Sequence, residues 1–169
     1  MLRMAAIVVD SSVLISLAAG EQFELLRDLY QKIHIPPAVW SEVSATRSRW
    51  GVREVSAARE ANWLVVQSPS DLSRVNALPI RLQKGEIEAL ALALELVGAL
   101  LIIDDAPGRR AAEALGLRYT GTIGFLIRAK GQGKLTALRP VLELMQQRTN
   151  FRLGSAIEQE ILRQVGEAS

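Results

Sequence analysis

The run Ala5-Ala6-Ile7-Val8-Val9 is continuously apolar, ends on β-branched residues, and stops at Asp10. An apolar run without alternation predicts a strand buried on both faces, as in a parallel sheet. The pattern returns at Leu100-Leu101-Ile102-Ile103, which stops at the pair Asp104-Asp105. Elsewhere the apolar spacing changes to that of helices, predicted over 11–18, 21–30, 52–61, 83–97, 108–115, 136–148 and 155–165. Further helices are predicted after Pro36-Pro37, where Pro37 suits a first turn, and from Gly121-Thr122. Shorter strands are predicted over 32–35, 63–67 and 117–119, and Ser155 with Glu158 has the spacing of a capping box. Strands alternating with helices imply an α/β fold on a parallel sheet, and the length suits one domain.

Two stretches imitate targeting or membrane signals. The N-terminus combines Arg3, an apolar run and Ala18-Ala19-Gly20, but Asp10 interrupts what a secretory leader would keep apolar. From Ile87 to Ile103 the chain is nearly all apolar, yet Glu88 and Glu95 lie inside it and Gly98 reads as a helix end. A cytoplasmic protein with no membrane span is expected.

Composition narrows the chemistry. The 169 residues include no cysteine and a single histidine, His34. Disulfides, thiolate zinc sites, iron–sulfur clusters and multi-histidine metal sites are excluded. Carboxylates, hydroxyls and hard cations remain, and His34 is expected to cap or pack. A net charge of +2 is too mild to diagnose a polyanion partner. Its distribution says more: Arg47, Arg49, Arg53 and Arg59 crowd one segment, and Arg109, Arg110, Arg118, Arg128, Lys130 and Lys134 another. Such runs are commonly solvated helix faces, but two of them flanking acidic motifs favour a phosphate-backbone partner.

In open parallel sheets, ligands bind beyond the carboxyl ends of the strands where the chain order switches direction. Asp10 and Asp104-Asp105 stand at such ends, and if their strands are neighbours the acids meet on one edge. Packing alone does not ask for this, because clustered carboxylates repel unless a cation sits between them. Each acid also has a plainer use. Asp10 could cap the helix from Ser11 and Asp105 the helix approaching Gly108, whereas Asp104 is surplus to a cap. Glu86 and Glu88 open the long helix, where the macrodipole favours acids. They lie roughly 200° apart around it, and Glu86 falls on the line of Ala89, Leu90, Ala93 and Val97. A carboxylate continuing an apolar stripe is the costlier placement, hence the more informative one. Glu42 follows Pro36-Pro37 by less than two turns and could be an exposed helix acid.

These residues together resemble a family. Ile7-Val8-Val9-Asp10-Ser11-Ser12-Val13-Leu14-Ile15 is similar to the opening motif of PIN-domain nucleases, and Pro36-Pro37-Ala38-Val39-Trp40-Ser41-Glu42-Val43 to their second acidic motif. Gly85-Glu86-Ile87-Glu88-Ala89-Leu90-Ala91-Leu92-Ala93 resembles the third. Leu101-Ile102-Ile103-Asp104-Asp105, with Arg109, Ala112 and Gly121-Thr122-Ile123-Gly124, resembles the last. The nearest fit is the small prokaryotic DUF3368-like branch, akin to VapC-type toxins, and the resemblance runs from about Ile7 to Leu153.

The resemblance implies a three-layer α/β/α PIN-like fold with a central, mostly parallel sheet of four to five strands. Residues 1–153 would form the nuclease domain, with 154–169 a C-terminal helix packed on it. Its catalytic acids map onto Asp10, Glu42, Glu86 and Asp104 with Asp105 accessory. Of these, Asp10, Glu86, Asp104 and Asp105 would bind Mg²⁺ or Mn²⁺, either Asp104 or Asp105 being the principal fourth ligand. Ser12, Arg47, Arg49, Arg109, Arg110 and Thr122 would touch the RNA backbone. The chain departs from the pattern in two places. Glu86 stands where VapC-type toxins commonly have aspartate, and no threonine stands two residues before the last acid. That hydroxyl is missing, or its role is left to Ser11, Ser12 or Thr122. The implied activity is metal-dependent hydrolysis of single-stranded RNA by a homodimeric toxin that a small antitoxin blocks. A PIN-like module that binds RNA or protein without cutting is the alternative.

Other readings fail on the residues. Asp10-Ser11-Ser12-Val13 occupies the place of a dinucleotide-binding glycine motif. Gly131-Gln132-Gly133-Lys134 lacks the earlier glycine of a phosphate loop, where Arg128 stands, and reads as a turn.

Overall fold

The computed structural model of the chain describes residues 4–45 and 49–168. Its centre is a five-stranded, wholly parallel sheet in the order β3-β2-β1-β4-β5. The strands are β1 (Ile7–Val9), β2 (Ile33–Ile35), β3 (Leu64–Val66), β4 (Leu100–Ile102) and β5 (Arg118–Thr120). Helices flank the sheet, giving the expected three-layer α/β/α arrangement. They are α1 (Ser11–Ala19), α2 (Leu25–Tyr30), α3 (Pro37–Ala45), α4 (Val52–Glu60), α5 (Ser73–Asn76), α6 (Lys84–Glu95), α7 (Ala106–Ala114), α8 (Thr122–Gly131), α9 (Arg139–Arg148) and α10 (Ser155–Gln164).

The two runs that end at aspartate are the central pair of strands. β1 and β4 are buried along their whole length and pair in register, Val9 opposite Ile102. Val8 and Leu101 are fully buried in one continuous core with Leu14 and Leu17 of α1, Leu90 and Leu92 of α6 and Phe125 of α8. Unbroken apolar strands are what a sheet covered on both faces requires. After β1 the chain builds outward through β2 and β3, then returns to β4 and β5 on the other side. The reversal of strand order therefore falls between β1 and β4, and it brings Asp10 and Asp104 to one edge. One of the two edge strands, β5, is exposed at Arg118 and Tyr119. A charged, short edge discourages further strand pairing.

Several element boundaries differ from the sequence expectation, each for a local reason. The helix expected from Glu21 begins at Leu25, because Glu21 takes a left-handed conformation (φ 61°) as the chain leaves α1. The long helix stops at Glu95, Gly98 turns with φ 75°, and Val97, placed on the buried stripe by spacing, is 96% exposed. The helix expected from Thr136 starts at Arg139, since Pro140 has no N–H and belongs in a first turn. Ser155 is not a cap: α10 begins on it with Gly154 as N-cap. The four-residue helix α5 had no expected counterpart. His34 packs within β2, its Nδ1 3.2 Å from Gln67 Oε1.

Glu167, just beyond α10, supplies what Pro140 and the start of α9 leave open. Its carboxylate accepts hydrogen bonds from the N–H groups of Leu138 (2.7 Å) and Arg139 (3.1 Å) and pairs with Lys130. Burial alone would raise its pKa, but Lys130 and the two amides outweigh that and hold it below the ordinary value. Its contribution to stability is therefore present above the unfolded-state value and is lost as pH falls through the folded one. Glu167→Ala should cost about 2 kcal/mol at pH 7, read as a lowered urea midpoint, and this cost should shrink in acid.

Candidate active site

A groove of about 1090 Å³ opens at the carboxyl edge of the sheet, where β1 and β4 meet. Asp10, Glu42, Glu86, Asp104 and Asp105 all line it. Acids from four separated parts of the chain thus share one rim. The strand ends of β1 and β4 carry Asp10 and the aspartate pair, α3 carries Glu42, and the first turn of α6 carries Glu86.

Capping does not explain the strand-end acids. Asp10 and Asp105 occupy the N-cap positions of α1 and α7, but neither side chain makes a capping hydrogen bond. Asp10 is 4% exposed, and its Oδ1 has no hydrogen-bond partner. Ser12 Oγ approaches Oδ2 at 3.4 Å. Burial pushes the Asp10 carboxyl up to about 7, against the pull of the nearby Ser11 N–H. The charges of Glu42 and Glu86 push the same way, and Ser12 opposes weakly.

Glu86 is 7% exposed, on the buried side of α6 with Ala89, Leu90 and Ala93. Its Oε1 accepts a 3.4 Å hydrogen bond from Gln83 N–H, while Oε2 is buried without a partner. Burial raises its pKa first and the charge of Asp105 next, with Gln83 N–H opposing and Glu42 adding. The Glu86 and Asp105 carboxyls are close enough for the charge of one to disfavour that of the other. A proton on one carboxyl or a cation between them relieves that repulsion. Glu88, expected only as a helix-start acid, is also buried, with Oε2 unpartnered, but it does not line the groove.

Glu42 and Asp104 differ from Asp10 and Glu86 in being fully engaged by protein donors. Glu42 accepts from Ser11 Oγ at 2.6 Å and from Gly85 N–H at 3.0 Å, so it holds the N-terminus of α6 from across the groove. Asp104 accepts from both Thr122 N–H and Thr122 Oγ1 at 2.7 Å, and Arg109 Nη2 lies 3.7 Å away. The three hydroxyls proposed to replace the missing threonine are thus each turned to a different acid. Ser11 serves Glu42, Ser12 faces Asp10, and Thr122 serves Asp104.

The residues expected on an RNA backbone divide. Ser12 and Arg109 line the groove, although Arg109 also braces the end of β4 through Nε to Ile103 O at 3.1 Å. Arg49 and Arg110 are exposed outside the lining. Thr122 has to be corrected: it is fully buried, and both its donors are spent on Asp104. Arg47 lies outside the described residues. Sequence reasoning missed the far wall, formed by the end of α9, the segment after it and α10, with Arg148, Phe151, Arg152 and Ile157. The signal was available, since residues 144–157 hold two arginines and an aromatic ring but no acid.

The family model described as a PIN domain (DUF3368) matches residues 6–167. The chain belongs to this PIN-domain family. No curated protein matches it. PIN domains are generally nucleases that use divalent metal ions, and the donor set of this PIN domain suits such an ion: oxygen only, with two buried carboxylate oxygens unpartnered. Among the described residues, no group of three or more acids stands ready to hold an ion between them. Of the four acids expected to bind it, Asp104 already accepts two hydrogen bonds from Thr122. Magnesium-type sites commonly use only one or two carboxylates and complete the shell with water. Among the described residues, no helix of this PIN domain is long and apolar enough to cross a membrane.

Proposed function

We propose that this PIN domain is a metal-dependent endoribonuclease that hydrolyses phosphodiester bonds of single-stranded RNA. The observation that carries this reading is the pair of buried, unpartnered carboxylate oxygens, on Asp10 and Glu86, beside one groove at the switch point of the sheet. Keeping two such acids buried costs stability, and a bound cation offsets that cost.

Asp10 and Glu86, with an acid of the pair after β4, would hold Mg²⁺ or Mn²⁺. The ion would polarise the phosphate and lower the pKa of an attacking water. The chain's own groups supply the rest. Asp10 must release its proton to bind a cation, so cation affinity should weaken as pH falls below about 7. Glu42, fixed by Ser11 and Gly85, keeps a carboxylate edge on the groove where a water can be oriented. Arg109, Arg148 and Arg152 place positive charge around it for a nucleic-acid backbone.

The same reading includes a toxin of the VapC type, acting in the cytoplasm as a homodimer and blocked by a small antitoxin. Growth arrest on expression, relieved by a small protein encoded beside it, tests that part. The engagement of Glu42 and Asp104 by protein donors is also what a non-cutting RNA- or protein-binding domain would present. The deciding experiment offers single-stranded RNA to the full chain with Mn²⁺, with Mg²⁺ and with chelator. Cleavage in both metals, absent with chelator and lowered about a hundredfold in Glu86→Gln, is the expected result. Binding without cleavage in every condition would favour the non-cutting module instead.

A further inference from the structure

We infer that the adjacent aspartates after β4 divide their labour: Asp105 is the cation-binding acid, and Asp104 is a positioning residue that locks β4 to the N-terminus of α8. This rests on the metal-dependent reading above and assigns roles within it.

The geometry of Asp104 is that of an anion already bound. Oδ1 takes the first amide of α8 (Thr122 N–H, 2.7 Å) and Oδ2 takes the hydroxyl of the same residue (Thr122 Oγ1, 2.7 Å). Thr122 is completely buried, so water does not compete for either bond. A helix N-terminus carries a partial positive charge, and a carboxylate seated on it has its own charge partly neutralised. Arg109 adds a guanidinium 3.7 Å from Oδ1. A divalent cation approaching Asp104 would meet two donors already in place and a positive neighbour. The corner is tight, since a methyl on Gly121 would stand 1.9 Å from Arg109 Nη2 and 2.8 Å from Asp104 Oδ1 and would push the guanidinium aside. Ile103 N–H to Thr120 O (2.8 Å) and Arg109 Nε to Ile103 O (3.1 Å) fasten the same corner. Asp104 therefore fixes where the chain leaves β4, and with it the direction of the next residue.

Asp105 has the opposite surroundings. It stands at the N-cap of α7 without capping it, is exposed, and lines the groove. It is also the acid whose charge bears most strongly on Glu86, whose buried Oε2 lacks a partner. A cation between Asp105 and Glu86 would satisfy both, and no protein donor would have to be displaced.

The test titrates Mn²⁺ calorimetrically into the full chain at pH 8, alongside cleavage kinetics and melting curves. Asp105→Asn should weaken Mn²⁺ affinity at least tenfold with little change in melting temperature. Asp104→Asn and Thr122→Val should keep Mn²⁺ affinity within about threefold, melt lower, and lose kcat about tenfold at unchanged KM. Thr122→Ser, which restores the hydroxyl, should recover kcat. Should Asp104→Asn fail to fold, Thr122→Val carries the comparison. Equal loss of Mn²⁺ affinity in Asp104→Asn or Thr122→Val, or parental affinity in Asp105→Asn, would overturn the division of roles. A parent chain that binds no Mn²⁺ would instead remove the metal-dependent reading beneath it.

Discussion

Asp10→Asn should lose metal-dependent cleavage by about a thousandfold and yet, in the absence of metal, melt at a higher temperature than the parent at pH 8. The two effects have one cause. Asp10 is buried with an unpartnered oxygen beside Glu42 and Glu86, and its carboxyl is raised from 3.8 to about 7. Between those values the folded chain keeps a proton that the unfolded chain has released. The contribution of Asp10 to stability is thus greatest below about pH 4, falls as pH rises, and levels off above pH 7. The shift corresponds to a loss on the order of 4 kcal/mol across that window. Asparagine carries no charge to desolvate, so its stability should lack this slope. Part of the gain is offset by an amide donor that must find an acceptor, at about 1–3 kcal/mol. A rise of roughly 5 °C at pH 8, vanishing near pH 4, is the expected net effect. Added Mn²⁺ should reverse the order, stabilising the parent by about 2.7 kcal/mol at a hundred times its Kd and leaving the variant unmoved. Melting curves at the two pH values, with and without Mn²⁺, check all of this. A stability difference between parent and Asp10→Asn that is the same at pH 4 and pH 8 without metal would mean Asp10 is not the strained group described.

Gly85→Ala should separate activity from stability in the other direction. A methyl at position 85 would stand 2.3 Å from Glu42 Oε1 and 2.6 Å from its Cδ, so the carboxylate must swing away. The hydrogen bond from Gly85 N–H and the one from Ser11 Oγ would be lost with it. Alanine recovers roughly 1 kcal/mol of helix propensity, which offsets most of that loss. The melting temperature should stay within about 3 °C of the parent. Cleavage should fall 10- to 100-fold, because Glu42 no longer presents its carboxylate at the groove. Adding Glu42→Asp, which shortens the side chain by one carbon, should restore part of the rate. A Gly85→Ala chain with parental kinetics would show that the placed carboxylate of Glu42 has no part in the reaction.

Much of this arrangement could be read from residue order alone, and particular residues show why the rest could not. Two apolar runs ending at aspartate were enough to predict two buried strands, and the structure makes them the neighbours β1 and β4. A strand buried on both faces has no polar alternation, and the change to aspartate marks the sheet edge. Glu86 stood out because a carboxylate on the apolar line of α6 has to be buried. What remained hidden depends on contacts between distant segments. Asp104 and Asp105 are chemically identical neighbours, and only Thr122, eighteen positions on, distinguishes them. Glu42 read as a possible surface acid because its partners, Ser11 and Gly85, lie 31 and 43 positions away. The start of α9 was missed although Pro140 announced it, since the apolar spacing continues through Thr136 without regard to a missing N–H. The far wall of the groove comes from a turn and an outer helix whose apolar residues looked like ordinary core.

The central claim is that acids from separate elements converge on one cation at the junction of β1 and β4. Anomalous diffraction from a crystal of the full chain soaked in Mn²⁺ at pH 8 tests it most directly. A manganese peak within coordination distance of Asp10 or Glu86 and of Asp105, lost on soaking the Asp10→Asn chain, is the result expected. Manganese found only on acids outside the groove, or no peak at concentrations that support cleavage, would contradict it.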